Sequence, residues 1–250
     1  MFTAQGPTLT ELAVQALSST RRGYDLLAPA FDHTPFRTPD AILDPVREAL
    51  ETVGPFGAGL DICCGTGAGT ALLRRVCTER VTGVDFSAGM LDVAARTSPA
   101  GPGPRVDWVQ ADARALPFRG AFDLAVSFGA FGHFLPAERP LLFAQAHAAL
   151  RPGGCFAFPV VAPPGPDSWL YWALLGFDAA MRVRNALWRP RFVMYYRTFP
   201  LPGVLADLRA AGFSVELVPL AALGRRDDGA PRARLVIARR AGRPVPSGAS

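Results

Sequence analysis

Between residues 57 and 160 short apolar runs alternate with stretches of helical periodicity. The runs are Gly59-Leu60-Asp61-Ile62, Val81-Thr82-Gly83-Val84-Asp85, Val106 to Gln110, Phe122 to Ser127 and Gly153-Gly154-Cys155-Phe156-Ala157-Phe158. Near-continuous apolar runs of this length, separated by helices, predict the strands of a parallel sheet covered on both faces. Ahead of them, Thr8-Leu9-Thr10-Glu11 has the form of a capping box and predicts a helix through about Ser19. A second helix is predicted from Thr38-Pro39-Asp40 to Thr52, with Pro45 as an interior member able to split it. After the fifth run comes a proline-rich spacer, Pro159 to Pro166. A helix from Asp167 or Ser168 to Trp188 follows, aromatic at its front and rich in arginine at its rear. Pro202 to Gly212 reads as a helix closed by glycine, and Phe213 to Pro219 and Arg234 to Ala238 as two strands around a loop that holds Arg225-Arg226-Asp227-Asp228-Gly229. From Ala241 onward glycine, proline and serine dominate and predict disorder. The expected division is thus a helical cap (1–56), an α/β core (57–160), a helical and aromatic insertion (161–199), the rest of the core (200–240) and a tail (241–250).

The stretch Asp61-Ile62-Cys63-Cys64-Gly65-Thr66-Gly67-Ala68-Gly69-Thr70 reads as a strand end, a tight turn and the opening of a helix. Glycine suits such a turn because it reaches positive φ and lets a ligand approach bare backbone. Asp85 stands 20 residues after Gly65 at the tip of the second strand, where a βαβ nucleotide site grips ribose hydroxyls. A dinucleotide fingerprint would place its third glycine where this chain has Thr70.

The first run with its turn, together with Gly83 to Leu91, Gln110-Ala111-Asp112-Ala113, Phe122 to Ser127 and Leu150-Arg151-Pro152-Gly153-Gly154, resembles the class I S-adenosylmethionine-dependent methyltransferases. Within them the chain is most similar to the branch of the ubiquinone and menaquinone biosynthesis enzymes. The resemblance implies an α/β, Rossmann-like sandwich on a seven-stranded, mostly parallel sheet, with one antiparallel strand placed by the final hairpin. It implies S-adenosyl-L-methionine as cofactor, with Asp61, Cys63, Gly65, Thr66, Gly67, Asp85, Phe86, Met90, Asp112, Ala113 and Ser127 around it. Asp112 would bind the adenine amino group, Ala113 would supply an amide, and Phe86 and Met90 would line the adenine faces. Met90 reads equally as a core residue of its helix. Tyr24, in a Tyr-Asp segment that folds over the cofactor in this family, either touches its methionine end or merely anchors the segment. Cys63 takes the place of the family's first glycine, and its small side chain is expected to admit the cofactor at some loss of affinity. The 161–199 insertion falls where this fold commonly carries a substrate lid.

Composition narrows the chemistry. All 26 basic residues are arginine, which excludes Schiff-base catalysis and a P-loop lysine. The net charge of +5 is spread over scattered arginines, and the loop after the fourth run lacks the Asn/Asp-Pro-Pro-aromatic tetrapeptide of nucleic-acid base methyltransferases, so no nucleic-acid partner is expected. The four cysteines show no metal-ligand spacing, and no metal is expected. With no signal-peptide pattern and no apolar run of spanning length, a reduced cytoplasmic setting is expected. Phe128, Phe131, Trp169 and Trp172 suggest a hydrophobic small-molecule acceptor, methylated on oxygen or carbon. His133 reads either as a catalytic base or as a residue that orients its loop. The mixture of tryptophan and arginine over 167–199 also suits peripheral contact with an anionic membrane, and a lid that simply completes the hydrophobic core is the third reading of the segment. Two other function classes stand beside this one: a nucleoside-binding partner subunit without catalysis, and an NAD(P)-dependent oxidoreductase, against which Thr70 and the missing lysine speak. The sequence leaves the oligomeric state open.

Overall fold

The computed structural model describes residues 6–99, 101–197 and 199–242, so most of the tail expected to be disordered lies outside the described residues. Strands β1 (Phe56–Ile62), β2 (Cys77–Asp85), β3 (Arg105–Gln110), β4 (Phe122–Val126), β5 (Leu150–Val161), β6 (Phe213–Pro219) and β7 (Ala233–Arg240) form one sheet in the order β3-β2-β1-β4-β5-β7-β6. The first five pair in parallel, whereas β7 runs antiparallel to both β5 and β6. The order reverses between β1 and β4, the switch point beyond whose carboxyl ends ligands bind in open α/β sheets.

Alternation along β5 shows how both faces are covered. Phe156 and Phe158 enter a core with Leu142 and Phe143 of helix α6 (Arg139–Ala149) and Val204 and Leu208 of helix α8 (Leu201–Ala210), while Cys155 and Ala157 enter a second core on the other face. That second core is closed by helices α3 (Asp40–Val53) and α4 (Ala68–Val76). Helix α5 (Ala88–Thr97) connects β2 to β3. Pro45 does not split α3, because Leu43, Val46 and Leu50, all buried in that core, hold the turns on either side of it on one axis.

The first helix, α1 (Leu9–Leu17), has the anticipated capping box, Thr8 and Glu11 each accepting from the other's backbone amide. Helix α2 (Thr20–Leu27) was not anticipated as a helix, since Gly23 interrupts its pattern; Ser19 caps it and a 3-10 turn over Ala28–His33 follows. The long insertion helix α7 spans Trp169–Leu187. Among the described residues no helix is long and apolar enough to cross a membrane.

The glycine turn rests on an indole. A Cβ on Gly83 would stand 2.5 Å from the Trp108 ring, and one on Gly67 would stand 3.0 Å from it. Overfilling a packed core costs about 1–3 kcal/mol, so Gly83→Ala is expected to lower unfolding free energy by that amount in a urea titration; an unchanged midpoint would show that Trp108 yields freely.

Candidate active site

The loops at the carboxyl ends of β1 to β4 surround a cavity of about 650 Å³. Its floor is the turn after β1. Gly65 (φ 53°) and Gly67 (φ 95°) adopt left-handed backbone, and Cys63 (φ 60°) does so as the only non-glycine with positive φ among the described residues. The cysteine thus takes a conformation that glycine adopts freely and that L-residues disfavour. Asp61, buried at the end of β1, accepts a hydrogen bond from Thr70 Oγ1 at 2.9 Å. Thr70 is therefore a partner for the first acid, in the place where a dinucleotide site would need a third glycine. That glycine stands at position 69, where a Cβ would come within 2.7 Å of both the Asp61 carboxylate and Phe128. Burial pushes the Asp61 carboxyl up to about 7, against the lowering effect of Thr70.

Asp85 ties two turns together. One of its oxygens accepts the Gly65 amide and the other the Ser87 amide, each at 2.9 Å, and burial still raises its pKa. Ser87 caps α5 by accepting from Met90 N, and its hydroxyl donates to Asp25 at 2.6 Å. Asp25 also accepts the Gly89 amide, while Asp32 accepts from Thr66 Oγ1 at 2.6 Å. Two carboxylates of the amino-terminal segment thereby fasten it across the cavity, with Tyr24 and Phe31 in the wall.

Asp112 is engaged by Arg114, whose guanidinium forms a 2.6 Å ion pair with it and a further pair with Glu138; this holds the Asp112 carboxyl below its ordinary range. All three line the cavity together with Phe86, Met90 and Ala113. Apolar side chains, among them Pro35, Phe36, Phe128, Phe134, Val193 and Met194, make up much of the remaining lining.

His133 is held at both nitrogens. Nδ1 lies 2.6 Å from the Val193 carbonyl and Nε2 lies 2.7 Å from the Tyr24 hydroxyl. A carbonyl only accepts, so Nδ1 carries the hydrogen and Nε2 accepts the tyrosine O–H. Burial lowers the imidazole pKa and, with the charge of Asp85, raises that of the Tyr24 phenol, so both are neutral near pH 7.

Tyr24, Asp61, Cys63, Gly65, Thr66, Asp85, Phe86, Met90, Asp112, Ala113 and His133 all line the cavity, and two of the residues chosen from sequence do not. The Ser127 hydroxyl is buried and donates to the Ile62 carbonyl at 2.8 Å, joining β4 to β1. Gly67 faces a smaller cleft beside Trp108. Three of the four aromatics assigned to the acceptor pocket are elsewhere as well. Phe131 stacks on Phe199 at 4.0 Å within the core, and Trp169 and Trp172 face outward. The insertion reaches the cavity through Arg191, Val193, Met194 and Tyr196, behind α7. Sequence reading also missed Asp25, Asp32, Arg114 and Glu138. The Tyr-Asp pair at 24–25 was the one local signal for any of them.

Comparison with known proteins gives a consistent picture. Residues 60–154 match a methyltransferase domain family. The demethylmenaquinone methyltransferase of Thermus thermophilus is 34% identical over 166 residues, which cover 62% of this chain and 74% of that protein. An uncharacterized methyltransferase of Synechocystis is 31% identical over 138 residues, covering 55% of this chain and 61% of that protein, so this second match spans only about three fifths of the relative's length. Among solved structures, the magnesium protoporphyrin IX methyltransferase of Synechocystis with bound SAH superposes with a TM-score of 0.55 at 18% identity, over 80% of this chain and 81% of that one, a likeness of fold.

Asp61 gives the site a pH signature. Its folded pKa lies above the unfolded value of 3.8, so the folded chain holds a proton that the unfolded chain has lost. Stability of the ligand-free protein therefore falls as pH rises from about 4 to about 7, by about 1.4 kcal/mol per unit at most from this one group, and Asp85 shifts in the same direction. Asp61→Asn is expected to flatten the dependence of the urea midpoint on pH between 5 and 7; equal slopes for both proteins would refute the assignment.

Proposed function

This chain belongs to the class I S-adenosylmethionine-dependent methyltransferases, on the branch of the ubiquinone and menaquinone biosynthesis enzymes, and from that premise we propose that it methylates an oxygen or carbon atom of a hydrophobic, aromatic or quinone-like small molecule. The observation that carries this reading is a cavity whose lining combines the buried carboxylates Asp61 and Asp85 with apolar side chains such as Phe36, Phe128, Val193 and Met194, and that holds the Tyr24–His133 pair. The ring of Tyr24 lies 6.5 Å from that of Phe86, and its hydroxyl meets the imidazole held by the Val193 carbonyl.

The donor set fits the cofactor. Asp85 keeps lone pairs free for ribose hydroxyls beyond its two amide bonds, the bare backbone at Gly65 admits close approach, and the buried Asp61 and Asp85 offer negative charge to a cationic ligand. In this reading Asp112, Ala113, Phe86 and Met90 hold the adenine, and Asp61, Cys63, Gly65 and Thr66 surround the methionine end. When bound, the cofactor supplies a methyl group already activated on a positively charged sulfur. The protein then has to hold the acceptor atom in line, about 3 Å away, with water excluded.

A phenolic acceptor must also lose a proton. The acceptor O–H donates to Tyr24 Oη while the tyrosine proton moves to His133 Nε2, which leaves a neutral tyrosine and an imidazolium. The electron pair freed on the acceptor, at oxygen or at the conjugated ring carbon, would form the new bond to the methyl carbon as its bond to sulfur breaks, the sulfur keeping that pair, and methylation at carbon would end with loss of the ring proton. Burial favours this arrangement because it keeps the imidazole unprotonated beforehand.

Tyr24→Phe retains the ring but interrupts the proton path. It is expected to lower kcat by about 10²-fold or more with cofactor affinity unchanged in calorimetry, and full turnover would remove the relay. The substrate class is tested with methyl-labelled cofactor in an extract of the source cell. Label in the solvent-soluble fraction is the expected outcome, and label in protein or RNA would overturn the small-molecule acceptor.

A further inference from the structure

Helix α7 is built inside out. Its inward face carries Met181 together with two polar residues, Asp178 and Asn185, that are equally buried and both bonded to the chain that returns beneath the helix. Asp178 accepts the amides of Tyr196 and Arg197 at 2.8 and 3.2 Å. Asn185 donates to the Phe192 carbonyl and the Tyr195 hydroxyl and accepts the Phe192 amide. The outward face carries Trp169 (79% exposed), Trp172 (60%), Val183 (59%) and Leu187 (81%), with small residues such as Gly176, Ala179 and Ala180 between them. A helix that meets water is patterned the other way round. Large apolar groups gathered on one exposed face mark a surface that is covered in use.

Charge identifies the cover. Between Asp167 and Asp207 the only acidic residue is Asp178, which is buried, while Arg182, Arg184, Arg189, Arg191 and Arg197 all fall in that stretch. Arg182 lies over the Tyr195 ring, and Arg184 and Arg189 bond to side-chain amide or backbone oxygens, so none of the three is neutralised by a carboxylate. A second copy laid on this face would bring two such arginine sets together with no exposed acid to balance them. Tryptophan beside arginine on an exposed apolar helix suits the boundary between lipid headgroups and acyl chains. The helix does not meet the requirements of a membrane span, so it would lie along the surface.

We propose that α7 docks this protein on an anionic lipid membrane, with the Trp169–Leu187 face in the interface and the arginines on lipid phosphates. The chain leaving α7 supplies Arg191, Val193, Met194 and Tyr196 to the cavity wall, so docking sets this wall of the cavity on the membrane side. A hydrophobic acceptor then enters from lipid without crossing water. This entry route rests on the function proposed above, whereas the docking does not.

The test is flotation of the full chain with vesicles of phosphatidylcholine alone and of phosphatidylcholine with phosphatidylglycerol, alongside calorimetric cofactor binding and sedimentation velocity. Binding to the anionic vesicles only, weakened by salt, is expected. Trp169→Ser with Trp172→Ser and Leu187→Ser should abolish it. Arg182→Gln with Arg189→Gln should weaken it roughly 25-fold, about fivefold for each charge. Cofactor binding should be intact in both variants, which separates a failed docking surface from a failed fold. No vesicle binding, equal binding to neutral vesicles, or a dimer that the tryptophan variant dissociates would each overturn the proposal. Failure of the wild-type chain to bind cofactor would count against the function and leave the vesicle result standing.

Discussion

The site depends on one carboxylate that holds two backbone turns. Asp85 receives the amides of Gly65 and Ser87, so the turn after β1 and the start of α5 cannot move independently. The left-handed backbone at Cys63, Gly65 and Gly67 is kept in place by this bond and by Trp108 beneath it. Such an arrangement is unfavourable for the ligand-free fold, because Asp85 and Asp61 are both buried and both have raised pKa values. A positively charged ligand relieves that penalty on binding, so the cost accepted in the empty site favours the occupied one.

The amino-terminal segment belongs to this same network. Asp25 takes the Ser87 hydroxyl and the Gly89 amide, at the helix start that Asp85 already organises, and Asp32 takes the hydroxyl of Thr66 within the glycine turn. Residues far apart in the chain thus close one wall of the cavity through charge-assisted hydrogen bonds, added to the packing of Tyr24, Leu27 and Ala28. The geometry suits a wall that has to admit ligands, since a few such bonds can be remade more readily than a packed core.

This difference also governs what could be read from sequence. The strands, the switch point and the glycine turn were legible because parallel strands buried on both faces leave continuous apolar runs, and because positive φ selects glycine locally. Thr8 and Glu11 were legible for the same reason, being three residues apart. The contacts that finish the site are not local. Tyr24 and His133 lie 109 positions apart, and Asp25 and Ser87 lie 62 apart; no periodicity links them. Ser127 was misplaced because a polar residue at a strand end reads as facing the ligand, while here it faces the adjacent strand. Trp169 and Trp172 were misplaced because apolar positions of a helix are assumed to turn inward. In α7 two of the three buried positions belong to Asp178 and Asn185, beside Met181.

Those two polar residues connect the insertion to the chemistry. Asn185 and Asp178 bond the backbone at 192 and at 196–197, and so fix the position of Val193 between them. The Val193 carbonyl selects the imidazole tautomer by accepting from Nδ1, which leaves Nε2 as the acceptor for Tyr24. An apolar residue at 178 or 185 would remove these hydrogen bonds and release the segment that orients His133. The outward apolar face and the inward polar pair are therefore two consequences of a single choice. The helix spends Asp178 and Asn185 on holding the return chain that orients His133, and apart from Met181 most of its large apolar groups are left to the outside.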